Sequence, residues 1–373
     1  MQEPAKILQI GNHPPPMCGW AIQLKLVTEE LRRRGHLCEV LKINENRQVK
    51  SPDYVDVQDG WDYLCKIWRY ARGGYRLNVH VNGQSRKGYL LALAAVLVGR
   101  LVNRPTLLTF HGGLSQQYFP RQDSWRLRWA FALLFRMSGR IACDSVEIQE
   151  AIEAYGVPSG RTRAIATFSS QYLDFTPARL PGDREEFLAA HDPVFFCYVS
   201  FRPEYRLEVM RQGMARFRER HAKAGFIWLG FPAREMPAVE EFVHSWTPAE
   251  RESLLLLGNL THDEFLTLMT RSTACLRTPA CDGVAASVLE ALALGVPVVA
   301  SENGRRPSGV VTYSENDAED MCAKLSYLME HRAEVKASLR SDAQDDNVGI
   351  MADWLAGESR TSSPRQPVAL QPS

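Results

Sequence analysis

The sequence predicts an α/β protein of two domains, each built on a parallel β-sheet, with its functional groups gathered where the two domains face each other. Three observations lead there. The chain has 373 residues, beyond the roughly 250 at which one hydrophobic core stops growing. Short apolar, β-rich runs alternate with helical segments, the pattern of βαβ units. This alternation runs through twice, separated by a polar stretch at residues 171–192 that holds two prolines, a glycine and several charges.

In the first half, strands are expected at 6–10, 37–41, 77–81, 106–110, 140–143 and 162–166, with helices such as 21–34 and 89–101 between them. The second half repeats the pattern with strands at 194–199, 226–229, 253–257, 274–276, 296–300 and 310–312, and helices at 261–269, 284–294 and 317–331. The expected domains are therefore 1–172 and 193–345, both Rossmann-like, joined by a linker at 173–192. A terminal helix at 346–358 is expected to pack back on the first domain. The Ser/Pro/Gln-rich tail 359–373 has too little apolar surface to fold. Ligands of such sheets bind just beyond the carboxyl ends of the strands, so the loops after the strands are where chemistry is expected.

Composition narrows the partners. Hydrophobic residues make up 45% and charged residues 23%, ordinary for a soluble globular protein, and the net charge of +1 gives no global field for nucleic acid. The eight cysteines include no CxxC pair, which argues against a zinc site and a disulfide framework and for reduced thiols in the cytoplasm. The polar start lacks a signal peptide, and the apolar run 89–98 is far short of the ~20 residues that span a bilayer. A cytoplasmic location is expected. The segment WRLRWAFALLFR at 125–136 leaves two readings open, a buried Rossmann helix or an interfacial helix giving peripheral contact with the inner membrane face.

The richest segment is 277–301, RTPACDGVAASVLEALALGVPVVAS. Asp282 precedes a helix start near Gly283, whose free N–H groups and dipole make an anion site. Glu290 falls about two turns later, so both carboxylates can share one side. Alone, such a pair is more often an N-cap and a solvated helix residue. The whole string, however, resembles the E-G-F-G-x-x-x-L-E-A-M-A-x-G-x-P-V-V-A-S signature of family-four (group 1) glycosyltransferases, retaining enzymes of the GT-B fold, in which two Rossmann-like domains face an interdomain cleft. The resemblance implies that Glu290 binds the donor ribose, that Asp282 contacts the donor sugar, and that the amides from Gly283 and Val284 to Ser287 hold the diphosphate. Asp282 departs from the usual Glu by one methylene.

Three further loops carry the resemblance across roughly residues 5–335. SFRPEYRLE at 200–208 is similar to the family's G-R-L-x-P-E-K-G-L-D loop, implying that Arg202, with Arg206, neutralises the donor phosphates; solvated surface arginines are the plain alternative. NHPPPMCGWA at 12–21 resembles the P-P-x-x-G-G-x-A loop over the phosphates, with Gly19 donor-binding. Trp20 replaces the second glycine, either narrowing the acceptor entrance or packing between domains. TFHGG at 109–113 is similar to T-x-H-G and makes His111 a candidate catalytic contact beside Asp282 and Arg202. Where relatives have I-P-N-G, this chain has IATFS at 165–169.

The function so implied is metal-independent, retaining transfer from a UDP- or GDP-sugar to an acceptor hydroxyl on a glycan, lipid-linked saccharide or small molecule, as in polysaccharide biosynthesis. No cofactor or metal is expected. The alternatives are a non-catalytic nucleotide-sugar-binding or scaffold protein and a nucleotide-sugar epimerase.

Overall fold

The computed structural model describes residues 3–14, 19–114, 116–120, 123–280, 285–339 and 346–358. The first sheet comprises β1 (Lys6–Gly11), β2 (Leu37–Lys42), β3 (Arg76–Asn82), β4 (Leu107–His111), β5 (Arg140–Cys143) and β6 (Thr162–Ala164), in the order β2-β1-β3-β4-β5-β6. The second comprises β7 (Val194–Tyr198), β8 (Gly225–Leu229), β9 (Leu254–Gly258), β10 (Ala274–Arg277), β11 (Val298–Ser301) and β12 (Val311–Tyr313), in the order β12-β11-β10-β7-β8-β9. Every adjacent pair runs parallel; in the first sheet Ile10 lies beside both Leu41 and Val79.

Strand alternation sorts the core into two layers per sheet. In β1, Leu8 and Ile10 join the layer under helices Gly60–Arg72, Arg86–Leu101 and Trp125–Met137, whereas Ile7 joins the opposite layer under helix Gly19–Arg33. The terminal helix Asn347–Ala356 completes that second layer through Val348, Met351, Ala352 and Leu355, so the chain returns to the first domain after the second is built. Arg34 ion-pairs with the buried Asp353, and Arg140 stacks on Trp354 at 5.1 Å. In the second domain Trp228 and Phe226 face one layer while Ile227 and Leu229 face the other.

Some segments differ from their sequence expectation. The stretch 173–192 is not a bare linker, because helix Gly182–Ala190 forms there and buries Phe187 in the second domain's core. Strand β6 ends at Ala164, two residues short of the expectation. Thr261 and Glu264 form a reciprocal capping box at helix His262–Arg271. Helix Trp125–Met137 is two-faced: Phe131, Leu134 and Phe135 are buried, while Trp125, Trp129 and Leu133 are exposed. Among the described residues, no helix is long and apolar enough to cross a membrane.

Candidate functional site in the interdomain cleft

In an open parallel sheet, ligands bind beyond the strand carboxyl ends where the strand order reverses. Here those points fall between β1 and β3 and between β7 and β10. A cleft of about 920 Å³ opens there and takes its walls from both domains.

The second domain's wall is built on Arg277, the last residue of β10. Its buried guanidinium lies over the rings of Tyr198 and Tyr205, 5.2 Å from each centroid. Two aromatic faces hold the cation in a low-dielectric wall. Helix Ala286–Ala293 starts beside it, and among the described residues no side chain caps its first turn, so its leading N–H groups and dipole point toward the cleft. Ser287 and Glu290, three residues apart on one helical face, both line the cleft. Burial raises the Glu290 carboxyl to about 8, because a charge here loses its hydration.

Helix Gly19–Arg33 approaches from the other domain. A Cβ on Gly19 would sit 3.4 Å from Ala286 Cβ, so two helix N-termini, one from each domain, meet at the cleft floor. Tyr172 ties the join: its hydroxyl donates to Gly19 O at 2.9 Å and its carbonyl lies 2.8 Å from His262 Nε2.

The first domain's wall centres on His111 at the end of β4. Both its ring nitrogens face protein groups. Nε2 shares a proton with His80 Nδ1 at 2.9 Å, and Nδ1 lies 3.3 Å from Asp144 Oδ1, within ion-pair range but not aligned as a hydrogen bond. Trp20 meets the imidazole edge-on at 4.5 Å between centroids. Behind His80 the polar chain continues into β1 and β3. Gln9 Oε1 lies 3.1 Å from His80 Nε2 and accepts from Asn78 Nδ2 at 2.6 Å, and Asn78 Oδ1 accepts from Thr109 at 3.1 Å. Burial holds His111 well below its usual range and His80 down at about 3, so both are neutral. Asp144 accepts from Gly112 N–H at 3.0 Å and Thr167 Oγ1 at 2.7 Å, yet burial still raises it to about 6.

The structure thus gathers His111, Gly19, Ser287 and Glu290 into one cleft. Asp282, Gly283 and Val284 lie outside the described residues. Arg202 is exposed on the loop after β7 and is not part of the cleft lining. Arg206 also stays outside it: the backbone turns through φ 48° and the guanidinium faces Glu315 at 3.4 Å. Sequence reasoning missed Arg277, Asp144 and His80. Arg277 and Asp144 each stand at or just after a strand end, which was a usable signal. His80 and Asn78 are polar residues at alternate positions of a buried strand, a weaker one. Among the described residues, no group of three or more His, Cys, Asp or Glu could hold a metal ion.

No protein-family model and no curated protein matches the chain. Solved structures do. HepE from Anabaena in complex with UDP matches with a TM-score of 0.66 at 16% identity, covering 94% of this chain and 95% of that one. A glycosyltransferase from Rickettsia africae matches at 0.64 and 14% identity, covering 95% and 94%. MnaA of S. aureus with UDP matches at 0.64 and 12%, covering 94% and 95%. The fold is GT-B. HepE has also been solved with UDP-glucose, and a putative UDP-N-acetylglucosamine 2-epimerase from Listeria monocytogenes matches at 0.66 and 12% over 99% of this chain and 100% of its own.

Proposed function

We propose that the protein is a nucleotide-sugar-dependent glycosyltransferase, retaining at the anomeric carbon. The observation that carries this reading is the convergence in one cleft of the Arg277 guanidinium, the start of helix Ala286–Ala293 and the buried Glu290. Solved proteins of this fold hold UDP and UDP-glucose, which supports a UDP-sugar donor ahead of a GDP-sugar. In the reaction, the bond between the anomeric carbon and the diphosphate oxygen breaks as the acceptor oxygen bonds to that carbon. The acceptor's proton passes to the departing phosphate. Charge grows on the leaving diphosphate, where Arg277 and the leading amides of helix Ala286–Ala293 stabilise it electrostatically. Arg202 and Arg206 lie at the same sheet edge and are the further candidates for that charge. Glu290 and Ser287 hold the donor's hydroxyls, with Gly19 closing the phosphate side; Asp282 remains the candidate contact for the donor sugar, and Gly283 and Val284 for the diphosphate. His111 and Trp20 form the wall facing the sugar and acceptor. Because burial keeps His111 neutral and His80 holds its Nε2, its role is shape and polarisation rather than proton transfer.

A second reading, epimerisation of the nucleotide sugar, is favoured by one observation. Asp144, raised to about 6 beside the cleft, is a carboxyl suited to proton abstraction near neutral pH. Incubation with UDP-glucose and UDP-N-acetylglucosamine, with and without an acceptor extract, separates the two. Transfer yields UDP and a glycoside only with acceptor, whereas epimerisation yields an altered nucleotide sugar without one. Saturating UDP should also stabilise the fold, by ~2.7 kcal/mol at 100 times its dissociation constant. Absence of any such stabilisation by UDP, GDP and ADP would sink both readings.

A further inference from the structure

We infer that one face of the first domain docks on an anionic lipid bilayer. The face is formed by helices Gly60–Arg72, Arg86–Leu101 and Trp125–Met137, packed side by side on one side of the first sheet. Tyr63 Oη donates to Leu91 O and Tyr89 Oη to Ala130 O, both at 2.8 Å, which fixes the three as a continuous layer. Each helix is amphipathic toward the core yet also carries large apolar side chains outward. Trp61 and Leu101 are 75% exposed, Trp125 69% and Trp129 68%; Trp68, Leu90, Leu97 and Leu133 are exposed too. Trp68 and Leu101, from neighbouring helices, share one surface depression with Arg72 and Arg104. So much exposed aromatic and aliphatic surface on three adjacent elements marks an interaction face.

Charge identifies the occupant. Helix Arg86–Leu101 carries Arg86, Lys87 and Arg100 with no acid, and Trp125–Met137 carries Arg126, Arg128 and Arg136 with no acid. Helix Gly60–Arg72 adds Lys66, Arg69 and Arg72 against Asp62 alone. Nine cations and one anion give the three helices a formal +8, whereas the whole chain is +1. Lys66 is held between Asp56 and Asp62, Asp59 and Asp123 flank two of the helix starts, and the other eight cations are exposed. A second copy of the chain would oppose +8 with +8. Single-stranded nucleic acid would use the cations and tryptophans but leave the outward leucines in water. A bilayer with anionic headgroups uses all three: cations at the phosphates, tryptophans at the interface, leucines in the acyl boundary.

The orientation has a consequence for the cleft. A helix that follows a parallel strand runs back along it, so its N-terminus lies at the strand's carboxyl edge. Trp61, Arg86 and Trp125, at or next to their helix starts, therefore stand at the cleft end of the face. Under the transferase reading, this places the first domain's cleft wall at headgroup level, where an acceptor hydroxyl on a lipid-linked molecule would be presented.

The docking test needs no nucleotide sugar, so its outcome is separate from that reading. Purified full-length chain is floated with vesicles of phosphatidylcholine alone and of phosphatidylcholine with phosphatidylglycerol. Expected is binding to the anionic vesicles, weakened by added salt. Binding should fall at least about tenfold in Arg86→Gln/Lys87→Gln/Arg126→Gln/Arg128→Gln, and comparably in Trp61→Ser/Trp125→Ser/Trp129→Ser. All these side chains are exposed, and an unchanged thermal melt verifies the fold. The proposal is overturned if the parent protein stays off anionic vesicles, if the tryptophan variant binds as well as the parent, or if oligo(dT) binds the parent and competes the vesicles away.

Discussion

Glu290 is held in the wall of the cleft at a site that disfavours its charge. Its pKa rises from 4.5 to about 8 on folding, so the folded chain keeps a proton that the unfolded chain has lost between those values. Stability therefore falls as pH rises through that window. Glu290→Gln should remove this loss, stabilising the protein at pH 8 by on the order of a few kcal/mol and leaving pH 5 nearly unchanged. The same substitution should weaken nucleotide binding, because a ribose diol donates to a carboxylate and favours its ionised form. Calorimetry in buffers of different ionisation heat should register proton release on UDP binding to the parent and none in the variant. Equal release in both would remove Glu290 from the ribose site. His80 behaves oppositely. Its pKa falls from 6.5 to about 3, so its contribution is present above 6.5 and is lost as pH falls through that range. His80→Gln should flatten the acid side of a urea stability profile by about 1.4 kcal/mol per pH unit.

At the scale of elements, strand ends and helix starts do the positioning. Gly230, just past β8, has φ +94°, and a Cβ there would sit 2.4 Å from the Tyr198 ring. Gly230→Ala should cost about 1–3 kcal/mol and push Tyr198 off Arg277, lowering UDP affinity in the same titration. Gly295, with φ +71° and open space around it, is the control. Gly295→Ala carries the backbone strain alone and should leave affinity unchanged. The terminal helix offers a different prediction. Met351 is buried against Ile7, Val27 and Leu31, so Met351→Ala should cost ~2–5 kcal/mol. Hydrogen exchange should accelerate in β1 and helix Gly19–Arg33 and hold steady in β7 and β10. Loss of protection in the second sheet instead would show that the two domains unfold as one unit.

For the whole molecule, the two sheets present their carboxyl edges to one cleft, and Tyr172 links Gly19 of one domain to His262 of the other. Ligand charge and protein charge are kept apart. The groups proposed to hold the donor's phosphates lie in the cleft, while helices Arg86–Leu101 and Trp125–Met137 of the first domain carry six cations and no acid. Raised ionic strength should therefore weaken vesicle binding steeply but alter UDP affinity only modestly, since exposed charges are screened more than buried ones. Parallel vesicle and UDP titrations over a salt series measure both slopes.

Much of this was legible in the sequence because the signals are local. Apolar runs and helical periodicity over a few residues placed most of the strands, and the string from Arg277 to Ser301 put Glu290 and Ser287 on a helix entering a strand. Contacts between distant segments were not legible. The stacking of Arg277 on Tyr198 depends on β10 lying beside β7 rather than beside β9, its predecessor in sequence. The His80–His111–Asp144 chain depends on β3, β4 and β5 lying side by side, and its shifted pKa values exist only once packing removes water. The net charge of +1 concealed three neighbouring helices that sum to +8, because a sum over residues carries no information about which helices become neighbours. The sequence by itself determined most of the elements and carried one string that resembles a donor-binding signature. Tertiary structure decided which strand ends meet, which charges are buried and which surface is left for a partner, since burial and proximity between remote residues arise only from long-range pairing.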